Sequence, residues 1–170
     1  MSAERKTSHK WIWVWDFDKE ERWLNQMAQS GWVLDGLGFC TYHFVRCQPG
    51  EYTVRLEMRG HDEAYLAFME DTGAEYLGRM VKWIYFRKKT ADGPFDLFSD
   101  IDSRIAHLNS ISSMLTVIGV ANLAIGLANS FNPVIKIGWI NLLCATLLMY
   151  ALGRIQGKKE HLENERLLRE

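Results

Sequence analysis

Two apolar stretches lie next to each other near the C-terminus, at residues 111–131 and 134–152. Each is close to the ~20 residues that an α-helix needs to cross the hydrocarbon core of a bilayer. Neither stretch contains Asp, Glu or Arg, and the one charged side chain, Lys136, lies near enough to an end to reach the interface. The sequence therefore predicts a membrane protein whose residues 111–152 form a transmembrane helical hairpin.

Basic residues flank this hairpin on its two outer sides, whereas the connection around Asn132 and Pro133 is nearly uncharged. Because positively charged flanks stay in the cytoplasm, we expect a multi-pass protein of the cell membrane with both termini cytoplasmic. Residues 1–10 are polar and basic without an apolar core, so we expect no signal peptide. The flanking residues are Arg87, Lys88, Lys89 and Arg104 before the hairpin and Arg154, Lys158 and Lys159 after it.

Charge and cysteine content exclude several classes of function. The formal net charge is −1 with no basic cluster, which argues against direct nucleic-acid binding. Three cysteines in a chain expected to face the cytosol predict reduced thiols and no disulfide. Cys40, His43 and Cys47 could suggest a metal site, but on a predicted strand Cys40 and His43 point to opposite faces. We expect neither a metal nor a cofactor.

The part of the chain before the hairpin contains an internal repeat with an offset of 42 positions (73 − 31). Several apolar residues and glycines match in this single register, which is the mark of a duplication. Each copy has the pattern of a strand, a helix and two further strands, because period-2 segments surround one segment of 3.6-residue period. The matches are Trp23, Leu24, Met27, Gly31 and Gly36 with Tyr65, Leu66, Met69, Gly73 and Gly78.

This repeat predicts an α+β domain over residues 1–93, with one antiparallel sheet and both helices on the same face. In the first copy we expect strands at 11–17, 32–36 and 39–47, and a helix from Asp18 to Gly31. In the second copy we expect strands at 52–59, 75–81 and 83–88, and a helix at 62–71. About ninety residues are enough to bury a modest core.

Alternation along the strands divides their side chains between two sheet faces. The register assigns to the helix side Ile12, Val14, Tyr42, Phe44, Val54, Leu56, Ile84 and Phe86. No predicted element covers the other face, and exposed aromatic surface usually marks an interaction site. We expect this open face to bind a small amphiphile or a protein partner, or to pack on a second copy of the chain or on the segment before the membrane. Its candidate residues are Trp11, Trp13, Trp15, His43, Arg55, Glu57, Trp83, Tyr85 and Arg87.

Polar segments flank the spans, and small residues line them. Residues 94–110 predict an amphipathic helix that continues into the first span or packs on the sheet domain, and residues 153–170 predict a charged, exposed helical tail. Small residues permit close helix approach, and amides at matching depth can bond across the contact. We therefore expect hairpin packing, rather than a pore, along Gly119, Asn122 and Gly126 on one helix and Gly138, Asn141 and Ala145 on the other.

The chain resembles the bacterial family of unknown function DUF2812. The resemblance lies in residues 21–24 (E-R-W-L), Gly31-Trp32 with Leu34, residues 42–44, the turn at 49–52 and residues 98–105. It implies C-terminal membrane spans and a gene position beside PadR-like regulators, hence a role in regulation or envelope stress, and it supplies no catalytic residue. Tandem strand-helix-strand-strand units are also similar to GyrI-like and haem-binding SOUL architectures, which enclose a ligand groove; this is a fold-level analogy.

Catalysis is not expected, because the sequence has no zinc-protease, nucleophile-elbow, P-loop or dinucleotide motif. A membrane-anchored sensor would hold a lipophilic cation with Glu57 among the tryptophans and Tyr85. The alternative is a homo-oligomeric scaffold or a docking site for a regulatory protein, which needs only a self-complementary face. Besides the lipid bilayer, the expected partners are thus a small amphiphile, another protein or a second copy.

Overall fold

The computed structural model describes residues 4–98, 100–131 and 138–168, and it contains two compact units, residues 1–97 and residues 98–170. Within the described residues, the first unit has two three-stranded antiparallel sheets and two α-helices, and the second has two long apolar helices. The predicted α+β class with a C-terminal helical hairpin is confirmed. The predicted single sheet is replaced by two separate sheets, one for each copy of the repeat.

The first copy contains β1 (Arg5–His9), a 3-10 turn (Val14–Asp16), α1 (Phe17–Gln29), β2 (Trp32–Gly38) and β3 (Thr41–Arg46). The second contains β4 (Tyr52–Met58), α2 (Glu63–Asp71), β5 (Ala74–Met80) and β6 (Trp83–Lys89), followed by a 3-10 turn (Thr90–Asp92). The sheet orders are β1-β3-β2 and β4-β6-β5, so the last strand of each copy lies in the middle. The predicted strand at residues 11–17 is wrong, because β1 lies earlier in the chain.

The two sheets share details that support the duplication. The register of β2 shifts between Leu34 and Gly36, and that of β5 shifts between Tyr76 and Gly78, each 42 positions later. The copies differ in one place. Arg5 pairs with Val45 in the first copy, and Val54 pairs with Arg87 in the second. Arg87 follows Val45 by 42 positions (87 − 45), but Val54 follows Arg5 by 49 positions (54 − 5). The first copy therefore has seven extra residues between its first strand and the matching part of its helix, because the connection at residues 10–16 is longer than the one at residues 59–62 and α1, with 13 residues, is longer than α2, with 9.

The cross-strand register also corrects the predicted sheet faces. Residues directly opposite each other share a face, and Leu56 lies opposite Tyr85 while Glu57 lies opposite Ile84. Val54 and Leu56 therefore share a face with Trp83, Tyr85 and Arg87 rather than with Ile84 and Phe86. The repeat relates one copy to the other, but only the pairing register relates neighbouring strands. The predicted burial of Tyr42, Phe44, Val54, Leu56, Ile84 and Phe86 is confirmed.

Helix α1 joins the two copies by covering the free edge of β4. Asn25 Nδ2 donates to Val54 O, and Val54 N donates to Asn25 Oδ1, both at 2.9 Å. Leu56 N donates to Glu21 Oε2 at 3.3 Å. An edge strand has backbone N–H and C=O groups that no neighbouring strand pairs. The side chains of Asn25 and Glu21 bond to these groups of β4 in place of a strand.

The second unit is a pair of 30-residue helices, α3 (Ile101–Ser130) and α4 (Gly138–Leu167). Helix α3 starts with a capping box in which Asp100 accepts from Ser103 N. The amphipathic helix predicted for residues 94–110 begins only at Ile101, because residues 94–98 are not helical, and from there it continues into the first apolar stretch. The predicted tail extends α4. The connection with Pro133 and Lys136 lies outside the described residues.

These helices are long and apolar enough to cross a membrane, and only 22% of the most apolar window of each is buried. A core helix of a soluble protein would be mostly buried, whereas Val117, Leu143 and other large apolar side chains of this pair are exposed. Arg166 Nη1 lies 2.9 Å from Asp102 Oδ1, so the outer ends of α3 and α4 lie together. If this hairpin crosses a membrane, both outer ends emerge on the same side.

Small residues set the spacing of the pair. Added methyl groups would lie 2.8 Å from Leu142 Cδ2 at Gly126 and 3.6 Å from Leu148 Cβ at Gly119. Gly119, Gly126, Gly138 and Ala145 are buried, as hairpin packing requires. The prediction that Asn122 and Asn141 lie at the same depth along the helix pair is wrong. Gly126 lies beside Leu142, so Asn122 is level with Thr146 rather than with Asn141, and its Nδ2 donates to Ile118 O of its own helix at 2.9 Å.

The core assignment predicts a large difference between two substitutions. Leu56→Ala removes a side chain that is 1% exposed and should lower the free energy of unfolding by ~2–5 kcal/mol. Val14→Ala, at a side chain that the sequence places in the core and the structure leaves 37% exposed, should change it by less than ~0.5 kcal/mol. Chemical denaturation of the full chain in detergent, followed by near-ultraviolet circular dichroism, measures both. Equal losses would contradict this core.

The hairpin contact predicts that two glycines of the second unit respond oppositely to alanine. Gly126→Ala forces the helices apart and should destabilise the pair by ~1–3 kcal/mol, because overpacking cannot be relieved without moving Leu142. Gly153→Ala is the matched control, since no atom lies within 4 Å of the added methyl and alanine favours the helix by ~0.5–1 kcal/mol. Unfolding by sodium dodecyl sulfate in mixed micelles reports both, and a stabilising Gly126→Ala would refute the contact.

Candidate binding surface

The longer connection of the first copy is an irregular segment, residues 10–16, that we call the tryptophan segment. Lys10 N donates to Cys40 O at 3.1 Å, which holds the start of the segment against the tip of the β2-β3 hairpin. Asp16 N donates to Trp13 O at 2.8 Å and closes the 3-10 turn that leads into α1. The segment therefore crosses from the edge strand β1 to the start of α1, past the hairpin tip.

The aromatic rings of this segment contact each other in series. Trp13 stacks on Trp15 with ring centroids 4.8 Å apart, Trp11 meets Trp13 edge-on at 5.4 Å, and Trp11 reaches Phe39 at 6.3 Å. Trp15 is 7% exposed and anchors the series, whereas Trp11, Trp13 and Phe39 are 60%, 42% and 79% exposed. We call these three exposed rings the aromatic patch. Contiguous exposed aromatic surface of this kind is typical of an interaction site.

The charges next to the patch are mostly positive. Lys10 Nζ lies 4.2 Å from the ring centroid of Trp23, and Arg5, Lys6 and His9 are exposed along β1. The nearest acid of the tryptophan segment, Asp16, lies 2.8 Å from Lys19. Basic residues therefore precede the patch in the chain, which favours an anionic group beside it.

A buried carboxylate lies on α1 behind this region. Glu20 is 7% exposed, and its Oε1 accepts hydrogen bonds from Tyr42 Oη at 2.8 Å and Tyr85 Oη at 2.7 Å. Burial raises the pKa of Glu20, while the two hydroxyls and the charge of Lys10 oppose the shift. Burial and the Glu20 charge raise the pKa of both tyrosines, so they stay protonated donors. The group ties α1 to the central strand of each sheet and is closed to a ligand.

Three candidate residues of the predicted open face are buried. Glu57, Trp83 and Tyr85 are 3%, 7% and 1% exposed. Glu57 Oε1 accepts from Arg59 Nε at 2.8 Å, and Trp83 stacks on Phe17 with centroids 5.2 Å apart. The prediction that these side chains lie on an open face is wrong. Helix α1 covers one face of the second sheet, while α2 packs on the other. Glu57 is not placed to meet a cation beside the tryptophans.

The two candidate arginines and His43 are engaged in local contacts. Arg55 donates to Phe95 O at 2.9 Å and to Glu21 Oε1 at 3.2 Å. Arg87 lies 2.8 Å from Glu75 Oε2 and donates to Leu34 O of the other sheet at 2.9 Å. Exposed His43 shares a 3.1 Å hydrogen bond with Thr7 Oγ1. Of the predicted face, only Trp11, Trp13 and buried Trp15 thus lie in the aromatic series.

Two open grooves of about 410 and 550 Å³ lie beside Arg55, and both are lined by Arg55 and Thr53. One is lined mainly by polar residues of α1 and the other by the loop before Leu97, and Arg55 is already paired with Glu21. Among residues that the structure describes, no three His, Cys, Asp or Glu side chains are grouped to hold a metal ion.

Two residues of this region were missed by reasoning from sequence. Phe39 forms part of a strand in the prediction, but it occupies the two-residue turn with Cys40, whose φ is +51°. The burial of Glu20 could have been predicted from sequence, because Glu20 lies four residues before Leu24 and eight before Ala28 on the buried face of α1. A carboxylate at such a position requires buried donors, which the tyrosines provide.

The buried carboxylate predicts a specific pH dependence of stability. Because the folded pKa of Glu20 is raised above its ordinary value of 4.5, the stabilisation linked to its proton is complete below that pH and is lost as the pH rises through the folded pKa. Glu20→Gln keeps an acceptor oxygen without the charge, so its stability relative to wild type should increase over this range. Tyr85→Phe should shift the loss to higher pH. Unfolding at a series of pH values tests this, and parallel curves would contradict it.

Comparison with known proteins identifies the family. The model of DUF2812, a protein family of unknown function, matches residues 16–120, which include α1, both central strands and the first part of α3. The matched range begins after Trp15, so Phe39 is the one member of the aromatic patch inside it. No curated protein and no solved structure matches the chain. Since the match spans more than half of the chain, the protein belongs to the DUF2812 family.

Proposed function

We propose that the protein is a membrane-anchored binding module that recognises a small amphiphile through the aromatic patch. The observation that carries this proposal is the exposure of the rings of Trp11, Trp13 and Phe39, which contact each other in series where the tryptophan segment passes the tip of the β2-β3 hairpin. Large aromatic rings that contact each other and stay exposed to solvent are typical of an interaction site, which favours an occupant. By the family resemblance, the biological setting would be regulation or envelope stress.

The polarity of the amphiphile follows from the charges around the patch. A lipophilic cation would need an acidic partner, and Glu57 is buried beside Arg59. Lys10 and exposed His9 instead lie at the start of the tryptophan segment. An anionic head group next to an apolar tail therefore complements the surface, with the rings receiving the tail.

Anchoring is proposed to come from α3 and α4, with the binding unit in the cytoplasm. The support is the exposed apolar surface of both helices and the basic residues outside the hairpin. The closed Glu20 group gives no support to a catalytic role, since its oxygen already accepts two hydroxyls in a buried position. We therefore propose binding without chemistry.

This function predicts that Trp13 contributes strongly to the binding of an anionic amphiphile. In zwitterionic nanodiscs, octyl phosphate should shift the tryptophan emission of the full chain, and Trp13→Ala should weaken its affinity by about tenfold or more, as for a central aromatic anchor. Octyltrimethylammonium, of equal chain length, should bind more weakly. Phe68→Ala is the matched control, because Phe68 is 61% exposed on α2 and outside the patch.

Two outcomes would decide against amphiphile binding. Equal affinity of wild type and Trp13→Ala for octyl phosphate would remove the patch from the site. A scaffold would instead appear as a dimer or a fixed protein partner that crosslinks to position 13 without added amphiphile, and that is lost in Trp13→Ala but retained in Phe68→Ala.

A further inference from the structure

The edge strand next to the aromatic patch is basic and free of a neighbouring strand on its outer side within the described part of the chain. β1 pairs only with β3, and its residues Arg5, Lys6 and His9 are exposed. Lys10 follows directly and leads into the patch, while Glu4 is the one acid of residues 4–10. Cations and exposed tryptophans thus occur on one continuous stretch, residues 5–13.

This combination has a specific physical affinity for the surface of an anionic membrane. Tryptophan rings prefer the level of the lipid head groups, where the apolar ring and the polar N–H are both satisfied. Lysine and arginine near such a surface are attracted by its negative potential, within a Debye length of ~8 Å at physiological salt. Separate basic and aromatic residues would be common on any protein, but here they are adjacent in the chain and exposed together.

The connection to the hairpin keeps the first unit close to the membrane that the hairpin is proposed to cross. The first unit ends at Leu97 and α3 begins at Ile101, whereas the uncharged apolar stretch begins at residue 111. Ten helical residues span ~15 Å, and the head-group layer occupies ~5–7 Å of that distance. A tether this short gives an effective concentration in the millimolar range, so even a weak lipid contact is populated.

We propose that the aromatic patch and β1 dock on the anionic lipid head groups of the membrane that holds the hairpin. The inference rests on the proposed function, because it identifies the amphiphile as a membrane lipid. The rings of Trp11, Trp13 and Phe39 enter the head-group layer, and Lys6 and Lys10, whose ammonium groups lie over the rings of Trp32 and Trp23, face the lipid phosphates. Docking then depends on the content of anionic lipid, which makes the orientation of the first unit responsive to membrane composition.

The test uses the full chain in nanodiscs that contain a lipid with a spin label on its head group, a short-range quencher of tryptophan. A Trp139→Phe background removes a tryptophan of α4 that is 63% exposed and would be quenched in any case. Nanodiscs with about 30% phosphatidylglycerol should quench the remaining tryptophans more than pure phosphatidylcholine, and salt should reduce the difference. Adding Trp11→Phe and Trp13→Phe should remove most of the quenching.

The charge arm uses two double variants with the same loss of charge. Lys6→Gln with Lys10→Gln should lower the docked-to-free ratio on anionic nanodiscs by about tenfold or more, as expected for two cations at a charged surface. Lys82→Gln with Lys89→Gln is the control, because both lysines are exposed in the second copy. Equal effects of the two variants would overturn the role of β1.

The remaining outcomes separate this inference from the proposed function. If octyl phosphate binding depends on Trp13 but quenching is the same in both lipids, the patch binds a free amphiphile. That result refutes the docking proposal and leaves the proposed function standing. If neither measurement depends on Trp13, both proposals fall. If position 13 crosslinks to a second copy or another protein in anionic nanodiscs and is not quenched, the occupant is a protein and lipid docking is refuted.

Discussion

The first unit depends on the polar side chains of one helix. Glu20, Glu21 and Asn25 project from α1 and bond to Tyr42 of its own copy and to Val54, Leu56 and Tyr85 of the other. A duplicated module would otherwise leave two small sheets with modest cores, and burying an unpaired carboxylate such as Glu20 would cost several kcal/mol. The two tyrosine hydroxyls offset part of that cost, and the pKa of Glu20 stays raised. Specific pairing of the copies is therefore encoded in hydrogen bonds rather than in apolar area alone.

The asymmetry between the copies follows from the same helix. α1 packs on its own sheet through Trp23 and reaches the second sheet through Glu20, so it must be approached from β1 by a longer path than α2 needs from β4. The longer connection at residues 10–16 and the longer α1 supply that path. Phe17 stacks on Trp83 and Trp15 is buried, whereas Trp11 and Trp13 lie in solvent. The aromatic patch thus forms where this connection passes the β2-β3 hairpin and is available for binding.

The sequence predicts most elements and fails at two defined points. Helices, hairpin strands and the membrane-capable pair follow from periodicity, glycines and length, and are all found. The alternation of Trp11, Trp13 and Trp15 imitates a strand, and a repeat register cannot be extended across an insertion, so β1 is misplaced. The sheet faces fail because pairing between strands is a tertiary property. Buried Glu57 and Tyr85 could not be distinguished from surface residues without that pairing.

The second unit shows how close packing can coexist with an almost wholly exposed apolar surface. Gly119, Gly126 and Gly138 bring the backbones together, while the outward side chains remain large and apolar. In water this arrangement would be unfavourable, since little of the apolar area is removed from solvent by the pairing. In lipid the outward surface carries no such penalty, and van der Waals contact between small residues is sufficient to hold two helices. The Arg166–Asp102 pair then lies beyond the apolar region, where water can solvate both charges. The exposed apolar surface and the close packing of α3 and α4 are therefore consistent with a bilayer as their solvent.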